Sequence, residues 1–130
     1  MKINRKSFRD KVMGCWLGKN AGGTLGEPLE EKFGRKEMFH VDWYPFLPEG
    51  GIPNDDLELQ LIWLQQLRKK GPGLTAADLV EAWTDCVAYN FDEYGLCKEN
   101  MQKGLLPPVC GWHNNAFKDF MGSPIRSELW

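Results

Sequence analysis

Pro45, Pro48, Gly50, Gly51 and Pro53 crowd into one short stretch of the chain, and no regular element can run through it. Proline lacks the amide donor that a helix or sheet ladder needs, and glycine loses the most conformational entropy on ordering. Residues 31–53 are therefore expected to be irregular, with regular structure only before and after them. Directly behind the break stands Asn54-Asp55-Asp56, a side-chain acceptor followed by two carboxylates, the pattern with which a helix begins. From there to Lys70 the leucines at 57, 61, 64 and 67 make one apolar stripe. Lys69 and Lys70 suit the negative C-terminal end, and Gly71 can close the helix.

Ahead of the break, Ser7 with Asp10 reads as a capping-box-like start, and Phe8, Val12, Cys15 and Trp16 recur at helical spacing. A first helix is expected over about residues 7–21, dissolving into Ala21-Gly22-Gly23-Thr24-Leu25-Gly26 before Pro28. Beyond the second helix, Thr75-Ala76-Ala77-Asp78 is another capping-box pattern, followed by Val80, Trp83 and Val87 on one face. A fourth helix is expected over residues 93–103, stopped by Gly104 and Pro107-Pro108. A short helical segment is expected near residues 116–120 and another start after Pro124, with residues 125–130 reading as a helix entered but not finished. No stretch alternates with period two, so the expected fold class is all-α, a helical bundle.

The length, 130 residues, suits one domain. With 42% hydrophobic and 26% charged residues, the chain is neither disordered by composition nor membrane-embedded. Sixteen basic against eighteen acidic residues leave a net charge of −2, which argues against a general nucleic-acid binder. The balance is uneven: residues 1–40 carry nine Lys/Arg and five Asp/Glu, and the acidic excess lies behind them. The longest apolar runs, such as residues 61–64, fall far short of the roughly 20 residues needed to span a bilayer. No apolar stretch follows the basic start, so no signal peptide is visible. Cys15, Cys86, Cys97 and Cys110 form no Cys-x-x-Cys pair, and His40 and His113 are the two histidines. A structural zinc site or disulfide framework is not expected; reduced, mostly buried thiols in a cytoplasmic protein are.

Three stretches carry chemistry-bearing residues. Gly14, Gly18 and Gly22 recur at a spacing of four on one helix face, where a second helix or a ligand can approach closely. Glu30 just beyond is either a site residue or a solvated carboxylate. In Asn54-Asp55-Asp56-Leu57-Glu58 the acidic pair serves the helix dipole, but a cap needs only one acceptor. The same turn could supply several hard oxygens to a divalent cation such as Mg2+. Gly122-Ser123-Pro124-Ile125-Arg126 is either a plain loop-to-helix junction or a set of free amides beside a cation, suited to phosphate or a polar sugar. Trp112-His113-Asn114-Asn115 offers stacking and hydrogen bonds to a ligand, or a local cap.

Taken together these stretches resemble the ADP-ribosylglycohydrolase family. The family's opening, Gly-Cys-x-x-Gly-x-x-x-Gly-Asp-x-x-Gly-x-Pro-x-Glu, is matched from Gly14 to Glu30. Its Thr-Asp-Asp-Thr motif falls on Asn54-Asp55-Asp56-Leu57, and its Asn-Gly-x-x-Met-Arg loop on residues 121–126. The resemblance implies an all-helical hydrolase with two Mg2+ ions, or Mn2+, that hold ribose hydroxyls and a water while a glycosidic bond to ADP-ribose is cleaved. By position it makes Asn54, Asp55 and Asp56 metal ligands, and Glu30 and Asp55 catalytic carboxylates. Gly122, Ser123 and Arg126 become ligand-binding residues.

The chain departs from the family pattern where Gly23 stands for its aspartate, Asn54 and Leu57 for its two threonines and Met121 for its asparagine. These departures point to a divergent branch. The family's second acidic motif, Asp-x-Asp-Thr, has no counterpart, since the 130 residues contain no Asp-x-Asp. The expectation is thus a single partial domain over residues 1–130, the N-terminal portion of a longer family domain, inactive by itself. Its expected ligand is ADP-ribose or an ADP-ribosylated protein side chain, with neither nucleic acid nor membrane as partner. Two other readings stand beside it. One is a non-catalytic helical module that self-associates through exposed core surface; the other is a related metal-dependent glycoside hydrolase of different substrate.

Overall fold

The structure, a computed structural model, describes residues 3–32, 40, 42–44, 47, 49–50, 53–90, 92–120 and 122–130. Most of the stretch 31–53 that was expected to be irregular lies outside them. The chain divides into two compact units, Met1–Asn54 and Asp55–Trp130. Among the described residues there are helices and turns but no strand, so the fold is all-α. None of these helices is long and apolar enough to cross a membrane.

The first unit holds α1, Arg5–Gly26, which runs on into a 3-10 segment, Glu27–Lys32. Its cap is Asn4, whose side chain accepts from the Ser7 amide at 3.1 Å. The helix thus starts earlier than the Ser7 and Asp10 pattern indicates, because Ser7 supplies the donor rather than the acceptor. The glycine run does not stop it either. Glycine costs roughly 1 kcal/mol per position against alanine but keeps its hydrogen bonds. Pro28 removes a donor, and there the helix tightens into 3-10. Thr24 is the buried residue of α1, whereas Phe8, Val12 and Cys15 of the expected apolar stripe are exposed. The Tyr44 hydroxyl donates to the Ala21 carbonyl at 3.3 Å.

The second unit contains α2 (Asp55–Lys70), α3 (Ala76–Cys86), α4 (Asp92–Gln102) and two single turns, α5 (Val109–Trp112) and α6 (Gly122–Ile125). Gly71 takes a φ of +62° to end α2, as its position suggests. The Thr75 hydroxyl accepts from the Asp78 amide at 3.3 Å while the Asp78 carboxylate accepts from the Thr75 amide at 2.8 Å. That closes the capping box of α3. Residues 116–120 form turns rather than a helix, α5 was not foreseen, and residues 126–130 are turns that follow a helical turn instead of entering one.

The core gathers Leu59 and Trp63 of α2, Ala82 of α3, Val87 just behind it and Tyr94 of α4. On α2 the buried residues are Leu57, Leu59, Gln60 and Trp63; of the expected leucine stripe Leu57 is thus buried and Leu64 and Leu67 are half-buried, while Leu61 is 54% exposed. The indole decides the rotation. Trp63 has far more apolar surface to bury than a leucine, and it meets Trp83 of α3 with ring centroids 5.6 Å apart. The Gln60 amide donates to the Glu128 carboxylate, satisfying a polar group that this rotation buries. The thiols also depart from expectation: Cys110 is buried and Cys97 half-buried, but Cys15 and Cys86 are exposed.

Candidate functional site

The first turn of α2 brings Asp55, Asp56 and Glu58 to a helix N-terminus, where the macrodipole favours negative charge. Both aspartates are half-buried. The segment leaving α3 is extended, and it carries Tyr89 beneath this turn, where the phenol donates to the Asp55 carbonyl at 3.3 Å. Tyr94, in the first turn of α4, meets Tyr89 edge-on with ring centroids 5.6 Å apart. The row of rings continues inward, Tyr94 to Trp83 at 5.8 Å and Trp83 to Trp63 at 5.6 Å. The site thus stands directly on the core.

Arg126 lies over the Tyr94 ring, its guanidinium carbon 4.1 Å from the centroid, a cation–π contact. It is 7% exposed. Its Nε donates to the Gly122 carbonyl at 2.6 Å, and its Nη2 lies 3.8 Å from Glu93 Oε1. A Cβ on Gly122 would collide with both the guanidinium and the Glu93 carboxylate. Glycine at 122 is what lets this ion pair cross the turn. Ser123 is exposed, and with Arg126, Glu93, Trp63 and Trp83 it lines a cleft of 370 Å³. Among the described residues the buried Trp83 indole N–H has no hydrogen-bond partner.

The electrostatics bind these parts together. Burial raises the Tyr89 phenol above its ordinary value, and the charges of Asp55, Glu58 and Asp56 add to the rise against the opposing Arg126. Tyr94 is likewise raised by burial first, with Arg126 opposing and Asp55, Asp56 and Glu93 reinforcing. Both phenols stay protonated through the whole neutral range and are hydrogen-bond donors, not bases. Asp55, Asp56 and Arg126, predicted separately from two distant motifs, thus act on the same two tyrosines.

The other predicted residues fall elsewhere. Asn54 closes the first unit, and its side-chain amide occupies the space that a Cβ on Gly23 would need. Two of the sequence's peculiarities, glycine at 23 and asparagine at 54, therefore meet each other. Among the described residues, a Cβ on Gly14, Gly18 or Gly22 would touch nothing. Glu30 belongs to the 3-10 segment, and its side chain lies outside the described residues. Asn115 of the Trp112–Asn115 patch is buried and serves local structure, donating to the Gly111 carbonyl at 3.1 Å and accepting from the Phe117 amide at 3.0 Å.

Tyr89, Tyr94 and Glu93 are the residues that sequence reasoning missed. No periodicity or motif marks them, and only the fold brings them under the α2 terminus. Among the described residues no group of three or more His, Cys, Asp or Glu side chains could hold a metal ion. The carboxylates of the acidic pair are donors of the hard-oxygen kind that a cation such as Mg2+ takes.

In comparison with known proteins, the ADP-ribosylglycohydrolase family model matches residues 4–123. No curated protein and no solved structure matches.

Proposed function

The chain belongs to the ADP-ribosylglycohydrolase family, and from that premise we propose that it carries the metal-binding, ribose-facing part of a hydrolase acting on N- or O-glycosidic bonds to ADP-ribose. The observation that carries the reading is the acidic pair at the α2 N-terminus, set against two protonated tyrosines and a buried arginine. Asp55 and Asp56, with the amide oxygen of Asn54 next to them in the chain, would hold one Mg2+ or Mn2+. When bound, such an ion polarises vicinal hydroxyls and a water.

The chain's own groups have distinct tasks in this reading. Tyr89 fixes the α2 terminus through the Asp55 carbonyl, which keeps the aspartate side chains facing the ligand. Arg126 is held by its Nε bond to Gly122 and its ion pair with Glu93, so it contributes positive field to a diphosphate from a fixed position. Ser123 is the exposed hydroxyl at the cleft rim and contacts the ligand there. The family resemblance would make Glu30 the carboxylate that takes a proton from water. With one acidic motif present, the 130 residues are expected to bind a single Mg2+ weakly and to turn over little.

Calorimetric titration of the chain with Mg2+ tests this, alone and with ADP-ribose. Asp55→Ala is expected to abolish the Mg2+ heat, and unchanged binding in that variant would defeat the ligand assignment. Absence of Mg2+ binding together with a concentration-dependent dimer in sedimentation would favour the non-catalytic assembly module instead. Trp112, Phe120 and Trp130, all more than half exposed, give that second reading its surface.

A further inference from the structure

Two thiols of the second unit take no part in the proposed site chemistry. Cys97 on α4 and Cys110 on α5 hold their Sγ atoms 3.9 Å apart. The helices that carry them are clamped by Asn100, whose side-chain amide donates to the Cys110 carbonyl at 2.9 Å and to the His113 carbonyl at 2.7 Å. A disulfide needs its sulfurs about 2.05 Å apart, so closure asks for roughly 2 Å of sulfur movement, within reach of side-chain rotation. Access to the two is unequal. Cys97 lines the 370 Å³ cleft, whereas Cys110 is 3% exposed and lies behind it.

We propose that Cys97 and Cys110 are an oxidative modification site at which a hydroperoxide, hydrogen peroxide in the simplest case, closes an intramolecular disulfide. Cys97 meets the oxidant first: its thiolate sulfur attacks a peroxide oxygen and the O–O bond breaks. Cys97 becomes a sulfenic acid, and the departing hydroxide takes up the thiol's proton as water. The Cys110 sulfur then attacks the Cys97 sulfur, the S–O bond breaks, and a second water leaves with the Cys110 proton. Two thiols have lost two electrons and two protons, and one peroxide has become two waters. Burial, and then the neighbouring Cys110, push the Cys97 thiol up to about 12. Oxidation is therefore slow at neutral pH and quickens as the pH rises.

The four-cysteine chain supplies its own control. Cys86 and Cys97 are eleven residues apart, and Cys97 and Cys110 thirteen. Loop-closure statistics alone would form the two links about equally. The folded chain is treated with hydrogen peroxide, its remaining thiols are alkylated, and digestion with trypsin and Asp-N separates all four cysteines for mass spectrometry. The expected product links Cys97 to Cys110, in at least about tenfold excess over Cys86–Cys97 by the proximity argument, and a reductant reverses it. Equal yields of the two links would overturn the proposal, as would Cys97 proceeding to sulfinic acid with Cys110 still alkylatable. In Cys110→Ser, checked for helicity by circular dichroism, a dimedone adduct should accumulate on Cys97. Should that variant unfold, the order of attack is read from early time points of the unmodified chain. Oxidised Cys110 preceding any change at Cys97 would overturn the order proposed.

Discussion

Gly95 is a glycine whose replacement would run into backbone. It lies in the first turns of α4, and a Cβ there would overlap the carbonyl group and Cα of Asn90, backbone atoms that cannot swing aside. The approach arises because the chain enters α4 through Asp92 at a φ of +46°. Alanine normally stabilises a helix by up to about 1 kcal/mol over glycine. At position 95 the sign reverses, and Gly95→Ala is expected to lower the unfolding free energy by about 2 kcal/mol in urea titrations. The same change at Gly14, where a Cβ meets nothing, is expected to be neutral or stabilising. The sequence pattern draws the eye to Gly14, Gly18 and Gly22 because their spacing is regular. What makes a glycine indispensable is a backbone path, and spacing does not show it.

At the level of the helix, α3 is held at its start by a network of three residues. The Asp78 carboxylate takes hydrogen bonds from the Thr75 hydroxyl and amide and pairs with Lys70 at 3.0 Å. The Thr75 hydroxyl is the largest cause that holds the carboxyl near 2, followed by Lys70. A carboxyl depressed in the folded state stabilises it fully above the ordinary value of 3.8, and that contribution is lost as pH falls towards about 2. Urea midpoints are thus expected to drop between pH 4 and 2, and the drop should be smaller in Asp78→Asn. Thr75→Ala is expected to cost about 1 kcal/mol at neutral pH. This cap was legible because its partners lie within one turn, as were Asp55 at the start of α2 and Gly71 at its end. The buried face of α2 was legible only in part. Leucine periodicity found Leu57, but the pairing of Trp63 with Trp83, residues from different helices, turns the buried face towards Leu59 and Trp63 and leaves Leu61 exposed.

At the scale of the molecule, the core cluster found among the described residues lies in the second unit. In the first unit α1 buries Thr24 and little else. Amide exchange followed by mass spectrometry is expected to reflect this, with α2, α3 and α4 protected at least about tenfold more than α1. Equal protection of α1 and α2 would contradict it. The acidic turn of the candidate site and the cation at 126 were both visible as motifs. Their shared neighbourhood was not, because Tyr89 and Tyr94 join them through contacts that no local pattern encodes.

The row of rings from Tyr89 through Tyr94 and Trp83 to Trp63 has an optical consequence. Successive centroids are less than 6 Å apart, far inside the range over which excited tyrosine passes its energy to tryptophan. Light absorbed by the phenols beside Asp55 emerges as indole emission from the core. The chain thus carries its own antenna, and a ligand that disturbs the acidic turn would be seen as a change in colour or yield.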